Sequence, residues 1–171
     1  MPTTTDCKPP IACTDEELRE FARLVRQAFP AAANLETRIS AAWWLGFHYA
    51  PDVTLVAVAA LKAPDERRRT LVFDKACTTA TIADYRVELG WVFVDPAHRG
   101  ERIAERLSHA LLEHAPEPRV FATTRRNNAP MICTLEALGF TRSGKPFPWR
   151  SEEFLLFLRS TEPPVEPVLP R

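Results

Sequence analysis

The segment 88–107, ELGWVFVDPAHRGERIAERL, combines the residue types of an anion-binding site. An apolar run ends at Asp95-Pro96, continues through Arg99 and Gly100, and leads into an amphipathic stretch. This pattern predicts a strand, a short loop and a helix. The first turn of a helix presents backbone N–H groups without internal partners, which attract anions. Arg99 adds a charged donor, and Gly100 permits close approach. The segment therefore favours a phosphorylated ligand at the end of a strand.

Two segments resemble the motifs of one family. Residues 99–104 resemble the acyl-CoA-binding motif of the GNAT superfamily of acetyl-CoA-dependent N-acyltransferases, Arg/Gln-x-x-Gly-x-Gly/Ala, with Arg102 in place of the middle glycine. Residues 128–140, NAPMICTLEALGF, resemble the family's Asn-led helix that ends in Leu-Gly-Phe. The two motifs have the family's order and separation. With their flanking strands they span residues 85–160.

The resemblance implies that acetyl-CoA (coenzyme A) is the cosubstrate and that no metal takes part. The CoA pyrophosphate would contact backbone N–H groups of 99–104, and pantetheine would pair with the preceding strand, where an N–H would face the thioester oxygen. Arg102 would either obstruct a phosphate or be tolerated by pointing outward or folding over it. Asn128 would bind pantetheine, cap its helix, or do both. The predicted cofactor-binding residues are Phe93, Val94, Arg99, Gly100, Glu101, Arg102, Ile103, Ala104 and Asn128.

The implied reaction is an N-acetyltransferase reaction, in which a primary amine attacks the acetyl (acyl) group directly in a ternary complex. Glu88 is the candidate catalytic residue, because a positioned carboxylate can accelerate loss of the amine proton by about 10²- to 10⁴-fold. A glutamate entering an apolar run also needs a reason, since an unpaired buried charge is costly. The alternative is a structural carboxylate at the wet end of the strand, or one paired with Arg86 or another arginine.

The proton donor to the leaving thiol stays open. Leu135 occupies a position where many members of the family have a tyrosine. Tyr49, Tyr85, His48 and water are the remaining candidates. A thiol with a pKa of about 8.5 leaves tolerably as thiolate near neutral pH, so an acid is not obligatory.

The acceptor is expected to be a small-molecule amine or a protein or peptide amine. The resemblance places its site among Phe29, Trp43, Trp44 and the loop 146–153, PFPWRSEE. Aromatic rings with nearby carboxylates could receive a cationic amine. Core aromatic residues and a solvated turn are the alternative interpretation.

A second possible function is that of a non-catalytic acyl-CoA-binding domain that acts as a sensor or interaction module. Arg102 and Leu135 favour this alternative, because both depart from the family's pattern.

Balanced charge, with 22 basic and 22 acidic residues, argues against a nucleic-acid partner. The sequence contains neither G-x-G-x-x-G nor a P-loop, which disfavours a dinucleotide-binding enzyme. The four cysteines lack metal-ligand spacing. We find no signal peptide and no apolar run of membrane-spanning length, so we expect a cytoplasmic protein without a membrane partner, monomeric or homodimeric.

The length of 171 residues predicts one domain. We expect a flexible segment over 1–13, a single GNAT-like acyltransferase domain over 14–160 and a Pro-rich disordered tail over 161–171. A capping box at Thr14 predicts a helix over 15–28. Residues 43–50 are predicted as a strand, with a helix ending at Gly46 as the alternative, and the first strand is short, missing or near 10–13. Further predicted elements are strands 53–62, 86–94, 119–124, 140–147 and 153–159, and helices 101–114 and from 128.

The order of these elements predicts an α/β fold (an α+β mixed sheet) with helices on both faces. The resemblance implies the GNAT-like acyl-CoA N-acyltransferase fold, which has a central, mostly antiparallel sheet and a splayed pair of parallel strands.

Overall fold

The structure, a computed structural model, describes residues 3–162. The expected disordered tail therefore lies almost entirely outside the described residues. The α-helices and strands are β1 (Thr4–Lys8), α1 (Asp15–Ala28), α2 (Leu35–Ser40), β2 (Trp44–Tyr49), β3 (Leu55–Lys62), α3 (Glu66–Ala76), β4 (Val87–Val94), α4 (Ile103–Leu112), β5 (Arg119–Arg125), α5 (Ala129–Ala137), β6 (Thr141–Trp149) and β7 (Glu152–Ser160).

The described strands form one sheet in the order β1-β2-β3-β4-β5-β7-β6. Neighbouring strands are antiparallel except β4 and β5, which are parallel. This arrangement confirms the predicted mixed, mostly antiparallel sheet. Residues 44–49 form a strand paired with β3, so the hairpin prediction is confirmed there and the alternative of a helix ending at Gly46 is wrong.

Strands β4 and β5 pair over only a short length. Residues 87–89 face residues 120–122, and no later residue of β4 pairs with β5. Beyond Leu89, β4 keeps pairing with β3 on its other side. The two parallel strands therefore part, as the resemblance implied, and a cleft opens between them.

A β-bulge lies in β4 at the start of this cleft. Gly90 opposes Ala60 and Phe93 opposes Val58, so β4 carries one residue more than β3 between these pairs. The bulge includes Trp91, whose φ of +51° is left-handed. Side chains of a strand alternate between faces, and an extra residue reverses the alternation. Leu89 accordingly packs in one core, and Trp91 packs with Phe93 in another.

Helices cover both faces of the sheet, as predicted. Helices α1 and α2 pack on β2–β4 through side chains that include Phe21, Leu24 and Ile39. Helices α4 and α5 pack on the opposite face through side chains that include Leu107 and Leu135. Helix α3 packs near β6 and β7. No helix between residues 3 and 162 combines the length and the apolar character needed to cross a membrane.

The N-terminal segment differs from the expectation of a flexible stretch. Residues 4–8 form the edge strand β1, antiparallel to β2, and the alternative position near residues 10–13 holds a short 3-10 turn. Polar side-chain contacts connect β1 to α1 and β2. The Lys8 ammonium lies 2.7 Å from the Glu17 carboxylate, and the Thr5 hydroxyl lies 2.8 Å from His48 Nδ1. A short polar edge strand carries little apolar alternation, which explains why its composition resembles a loop.

Candidate active site

A cavity of about 380 Å³ opens where β4 and β5 part. Its lining includes the bulge residues 90–92, the end of β5 over 123–125, the loop after α1, and the turn between β6 and β7. Cavities of about 300–1,000 Å³ suit small ligands. A second opening of about 460 Å³, between the end of α4 and the start of β5, contains none of the predicted site residues.

Glu88 lies on the wall of this cavity, and its side chain is 2% exposed. Lys62, at the end of β3, places Nζ 2.9 Å from Glu88 Oε2. Arg68, on α3, donates from Nη2 to Oε1 at 3.2 Å and from Nε to Oε2 at 3.4 Å. The glutamate in the apolar run therefore has two cationic partners. Arg86, the named alternative partner, instead pairs with Glu117.

The pKa values of this cluster follow from its geometry. Burial alone would raise the pKa of Glu88, but the charges and hydrogen bonds of Lys62 and Arg68 outweigh burial and lower the pKa to about 2. Burial lowers the pKa of Lys62 from 10.5 to about 8, because the attraction of Glu88 only partly offsets the loss of hydration and Arg68 repels the ammonium. Glu88 is therefore ionised at neutral pH, and the pKa of Lys62 lies close to neutral pH.

Aromatic rings flank the cations of the cavity. Lys62 Nζ lies 5.3 Å from the Trp91 ring centroid, and Arg38 Cζ lies 5.2 Å from it. Arg68 Cζ lies 5.3 Å from the ring centroid of Trp149. Cations near aromatic faces at these distances are stabilised electrostatically. The bulge at Trp91 thus supplies a platform for two basic side chains.

The predicted phosphate-binding residues form the entry to α4. Arg99 Nε donates to the Val94 carbonyl at 3.3 Å, so this arginine closes the loop onto the end of β4. Gly100 has a φ of +89° and is exposed, with open space where a side chain would lie. Glu101 is exposed, and Ala104 is partly buried. Ile103 is buried and anchors the first turn in the core. No side chain of the described residues caps this helix start.

Arg102 adopts the conformation that glycine accepts most easily. It precedes α4 with φ +55° and ψ +28°, in the left-handed region. Its guanidinium binds both carboxylate oxygens of Glu105 at 2.9 Å, and its side chain is 74% exposed. The glycine of the family pattern falls on a left-handed residue here, and the arginine side chain lies against α4.

Arg102→Gly is expected to raise the free energy of unfolding by about 0.5–1 kcal/mol. Left-handed backbone costs an L-residue about 1–2 kcal/mol, and the lost ion pair is exposed and contributes little. Arg102→Ala is the matched control, since it removes the same ion pair but keeps the Cβ strain and should give no gain. Urea unfolding of both variants measures the difference. A glycine variant less stable than the alanine variant would contradict this account.

None of the predicted cofactor-binding residues, including those of the loop 99–104, lines the cavity. Phe93 is buried beneath α1 and α2, and Val94 is partly buried on the opposite face of the sheet. Both follow the point at which β5 leaves β4, so β4 no longer has β5 beside it there. Asn128 Oδ1 accepts a hydrogen bond from the Met131 N–H at 3.2 Å and caps α5. The capping alternative for Asn128 is therefore present.

The structure separates the expected acceptor-site residues. Phe29 and Trp149 line the cavity. Trp43 is 42% exposed and lies outside the lining, and Trp44 stacks on His114 with ring centroids 4.1 Å apart. The named proton-donor candidates Tyr49, Tyr85 and His48 do not line the cavity either, and Leu135 is buried in the core.

Sequence reasoning did not identify Lys62, Arg68 or Arg38. Lys62 lies directly opposite Glu88 in the register of β3 and β4. A lysine at the end of the apolar run 53–62 was the available signal, because a buried lysine requires a partner. Within residues 3–162, no group of histidine, cysteine, aspartate and glutamate side chains is arranged to hold a metal ion.

Solved structures share this architecture. The chain resembles yncA of Salmonella typhimurium, solved with its cofactor acetyl-CoA, at 14% identity over 98% of each chain and a TM-score of 0.68. It resembles Escherichia coli ElaA at 15% identity over 92% of this chain and 99% of ElaA, with a TM-score of 0.68. An acyl-CoA N-acyltransferase from Pseudomonas aeruginosa has 14% identity over 93% of this chain and all of its own, with a TM-score of 0.66. At such identities the likeness shows the fold.

Sequence comparison identifies the family directly. No curated protein sequence matches the chain. The family model described as "Acetyltransferase (GNAT) family" matches residues 13–140, which include both predicted motifs and most of the sheet. The resemblance noted from residues 99–104 and 128–140 is thereby confirmed, and the chain belongs to the GNAT family of acetyltransferases.

Proposed function

We propose that the protein is an N-acetyltransferase that transfers an acetyl group from acetyl-CoA to a primary amine by direct attack in a ternary complex. The observation that carries the proposal is the cavity between the parted strands β4 and β5, with the ion cluster of Lys62, Arg68 and Glu88 on its wall. The start of α4 lies beyond the far end of β4. An anion site and an amine site at opposite ends of one strand suit a long, phosphorylated acyl donor.

In the proposal the donor follows β4. Its pyrophosphate binds the loop 99–104, where Arg99 supplies charge and the start of α4 supplies unpaired N–H groups. The pantetheine arm pairs with the backbone at Phe93 and Val94, on the side that β5 vacates, and Asn128 lies at the start of α5 to assist. The binding of acetyl-CoA described for yncA supports this assignment of the cosubstrate.

The amine must lose a proton before it attacks. An alkyl ammonium with a pKa of about 10.4 is only about 0.1% neutral near pH 7.4. Both oxygens of Glu88 are engaged by cations and its pKa is low, so a direct transfer to this carboxylate is unfavourable. Neutral Lys62 has a free lone pair, and its side chain lines the cavity beside Glu88.

We therefore assign the proton to Lys62 and give Glu88 a supporting role. The acceptor N–H proton passes to Lys62 Nζ, and the Glu88 carboxylate stabilises the ammonium that forms. The neutral amine then attacks the thioester carbonyl, the C–S bond breaks, and CoA leaves as thiolate while the new amide nitrogen releases its second proton to solvent. In this scheme Glu88, which was predicted as the general base, instead positions Lys62 and stabilises its ammonium form.

Acetyl-CoA is expected to stabilise the protein by about 2.7 kcal/mol at about 100 times its dissociation constant. NAD and ATP should give smaller shifts, and longer acyl-CoAs establish the donor length. Thermal unfolding with each ligand is the measurement. Arg99→Glu should reduce the shift, because it places a negative charge beside the pyrophosphate. Arg142→Glu is the control, since Arg142 is an exposed arginine on the edge strand β6, away from β4. Equal or absent shifts for all ligands would overturn the proposal.

A second candidate is a domain that holds acyl-CoA without turnover, as a sensor or interaction module. The position at which many members have a tyrosine is Leu135 of α5, which is fully buried in the core that α4 and α5 form with the sheet and offers no proton donor. The two functions separate in one assay. Acetyl-CoA binding without release of CoA thiol, across a broad screen of small amines and peptides, would support the second candidate.

A further inference from the structure

We propose that the acceptor is a small amine that also carries an acidic group, as an amino acid does. This inference rests on the proposed acetyl transfer and names the class of molecule that receives the acetyl group. The amine lies toward Lys62 and Glu88, and the acid binds Arg38 and Arg150. These two arginines lie on separate elements, α2 and the turn between β6 and β7, and both line the cavity.

The lining of the cavity carries an excess of positive charge. Five basic side chains face two carboxylates, which leaves three positive charges uncompensated when Lys62 is protonated and two when it is neutral. The basic residues are Arg38, Lys62, Arg68, Arg125 and Arg150, and the acidic residues are Glu88 and Glu152. A ligand that brings negative charge would balance this lining.

The two carboxylates are already engaged. Glu88 binds Lys62 and Arg68. Glu152 Oε2 lies 2.8 Å from Arg125 Nε. Within residues 3–162, neither Arg38 nor Arg150 has a carboxylate within ion-pair distance. When Lys62 is neutral, the uncompensated charge of the cavity is therefore located on these two arginines, and protonated Lys62 adds a third charge.

The packing of Arg38 favours a contact with the acidic group of the acceptor. Its guanidinium lies over the Trp91 ring and is partly buried, which limits its motion and its hydration. Burial lowers the pKa of Arg38, and the charges of Arg68 and Arg150 lower it further, although Glu88 and Asp65 act in the opposite direction. A carboxylate or phosphonate between the two arginines would relieve this repulsion and form charge-assisted hydrogen bonds.

The same charges disfavour cationic acceptors. A polyamine or a lysine-rich peptide would add positive charge where two arginines already lack partners, and like charges in a confined site repel strongly. The volume of about 380 Å³ further favours a small molecule over a peptide chain. The positive surroundings also favour the neutral form of the attacking amine over its ammonium form.

The experiment compares two matched pools of acceptors. One contains the twenty common amino acids, and the other contains the same amino acids as carboxamides, which keep the amine and side chain but lose the acid. Spermidine and a short lysine peptide are assayed beside them. CoA thiol release gives the rate, and mass spectrometry identifies the N-acetyl products. We expect products from the acid pool, with kcat/KM about ten- to a hundredfold above that of the matching amides.

Variants then test the two arginines. Arg150→Gln and Arg38→Gln should each raise KM for the acidic acceptor about tenfold or more while leaving the amides almost unchanged. Arg67→Gln is the matched control, since Arg67 is an exposed arginine on α3 outside the cavity lining. Arg150 is exposed in a turn, so its variant keeps the test valid if Arg38→Gln unfolds. Arg150→Glu should shift the preference toward the amides.

The assay results distinguish an incorrect acceptor class from an incorrect proposed function. Acetylation of amides, spermidine or the peptide as efficiently as the acids would overturn the inference and leave the transferase proposal standing. Binding of acetyl-CoA with no product from the acid pool would also overturn it. A protein that neither binds acetyl-CoA nor acetylates any pool would overturn the proposed function itself.

Discussion

Replacing Lys62 with methionine is expected to lower kcat/KM for the amine acceptor by about 10²- to 10⁴-fold, the usual contribution of a positioned acid or base. Methionine keeps an unbranched apolar chain in the same space but cannot accept a proton. Binding of acetyl-CoA should persist, because the loop 99–104 contains its phosphate contacts in the proposal. Initial rates of CoA release and calorimetry with acetyl-CoA measure the two effects separately.

The pH dependence of kcat/KM distinguishes proton transfer by Lys62 from a purely structural role, because a structural role would not affect the pH profile. Only neutral Lys62 accepts a proton, and its pKa is about 8. In the wild-type protein kcat/KM should therefore rise with pH up to about 8 through this group and level off above it, superimposed on the titration of the acceptor. Lys62→Met should lose this limb, whereas Lys145→Met, at an exposed position, should keep it. A Lys62→Met enzyme with a near-normal rate and an unaltered profile would refute the assignment.

Glu88→Ala is expected to lower the free energy of unfolding by about 3–5 kcal/mol, the usual effect of removing one partner from a buried ion pair. The variant leaves Lys62 buried without a counter-ion, and Arg68 loses two hydrogen bonds. Urea unfolding at neutral pH measures the change. The control is Glu20→Gln, which breaks an exposed pair with Arg23 and should cost less than about 1 kcal/mol.

The stability attributed to Glu88 also depends on pH in a definite direction. Its pKa falls from 4.5 to about 2 in the folded protein, so the unfolded chain binds the proton more readily. The contribution is fully present above pH 4.5 and is lost as pH falls toward 2, with a total of about 3 kcal/mol. Glu88→Gln should flatten this part of the stability curve and should slow turnover while sparing CoA binding. An unchanged acid limb in that variant would show that other carboxylates dominate.

Much of the fold was predictable because its signals are local. The capping box at Thr14 marks the start of α1, and Asn128 marks the start of α5. The loop 99–104 is likewise contiguous, so its proposed role could be read from adjacent residues. The apolar run and turn at residues 89–96 placed the end of β4. Each of these features depends on residues a few positions apart, which a sequence displays directly.

The wall of the cavity was not predictable in the same way. Lys62, Arg68 and Glu88 come from three elements and meet only when β3 and β4 are in register. That register depends on a bulge at Trp91, where a left-handed tryptophan gives no recognisable signal because glycine is the residue expected at such a position. The carboxylates foreseen near the acceptor amine are present, but the charge of the whole lining has the opposite sign.

Because β4 contains one extra residue, the number of residues in this strand matters more for its packing than the types of its side chains. Leu89 contacts the α4 layer and Phe93 contacts the α1 layer, although a regular strand would turn both the same way. Deleting Trp91 would exchange the two layers for the remainder of the strand, driving Phe93 toward α4, and would remove the ring that lies against Arg38 and Lys62. Homologous sequences should therefore show no insertion or deletion between the positions of Glu88 and Arg99, even where the intervening side chains differ.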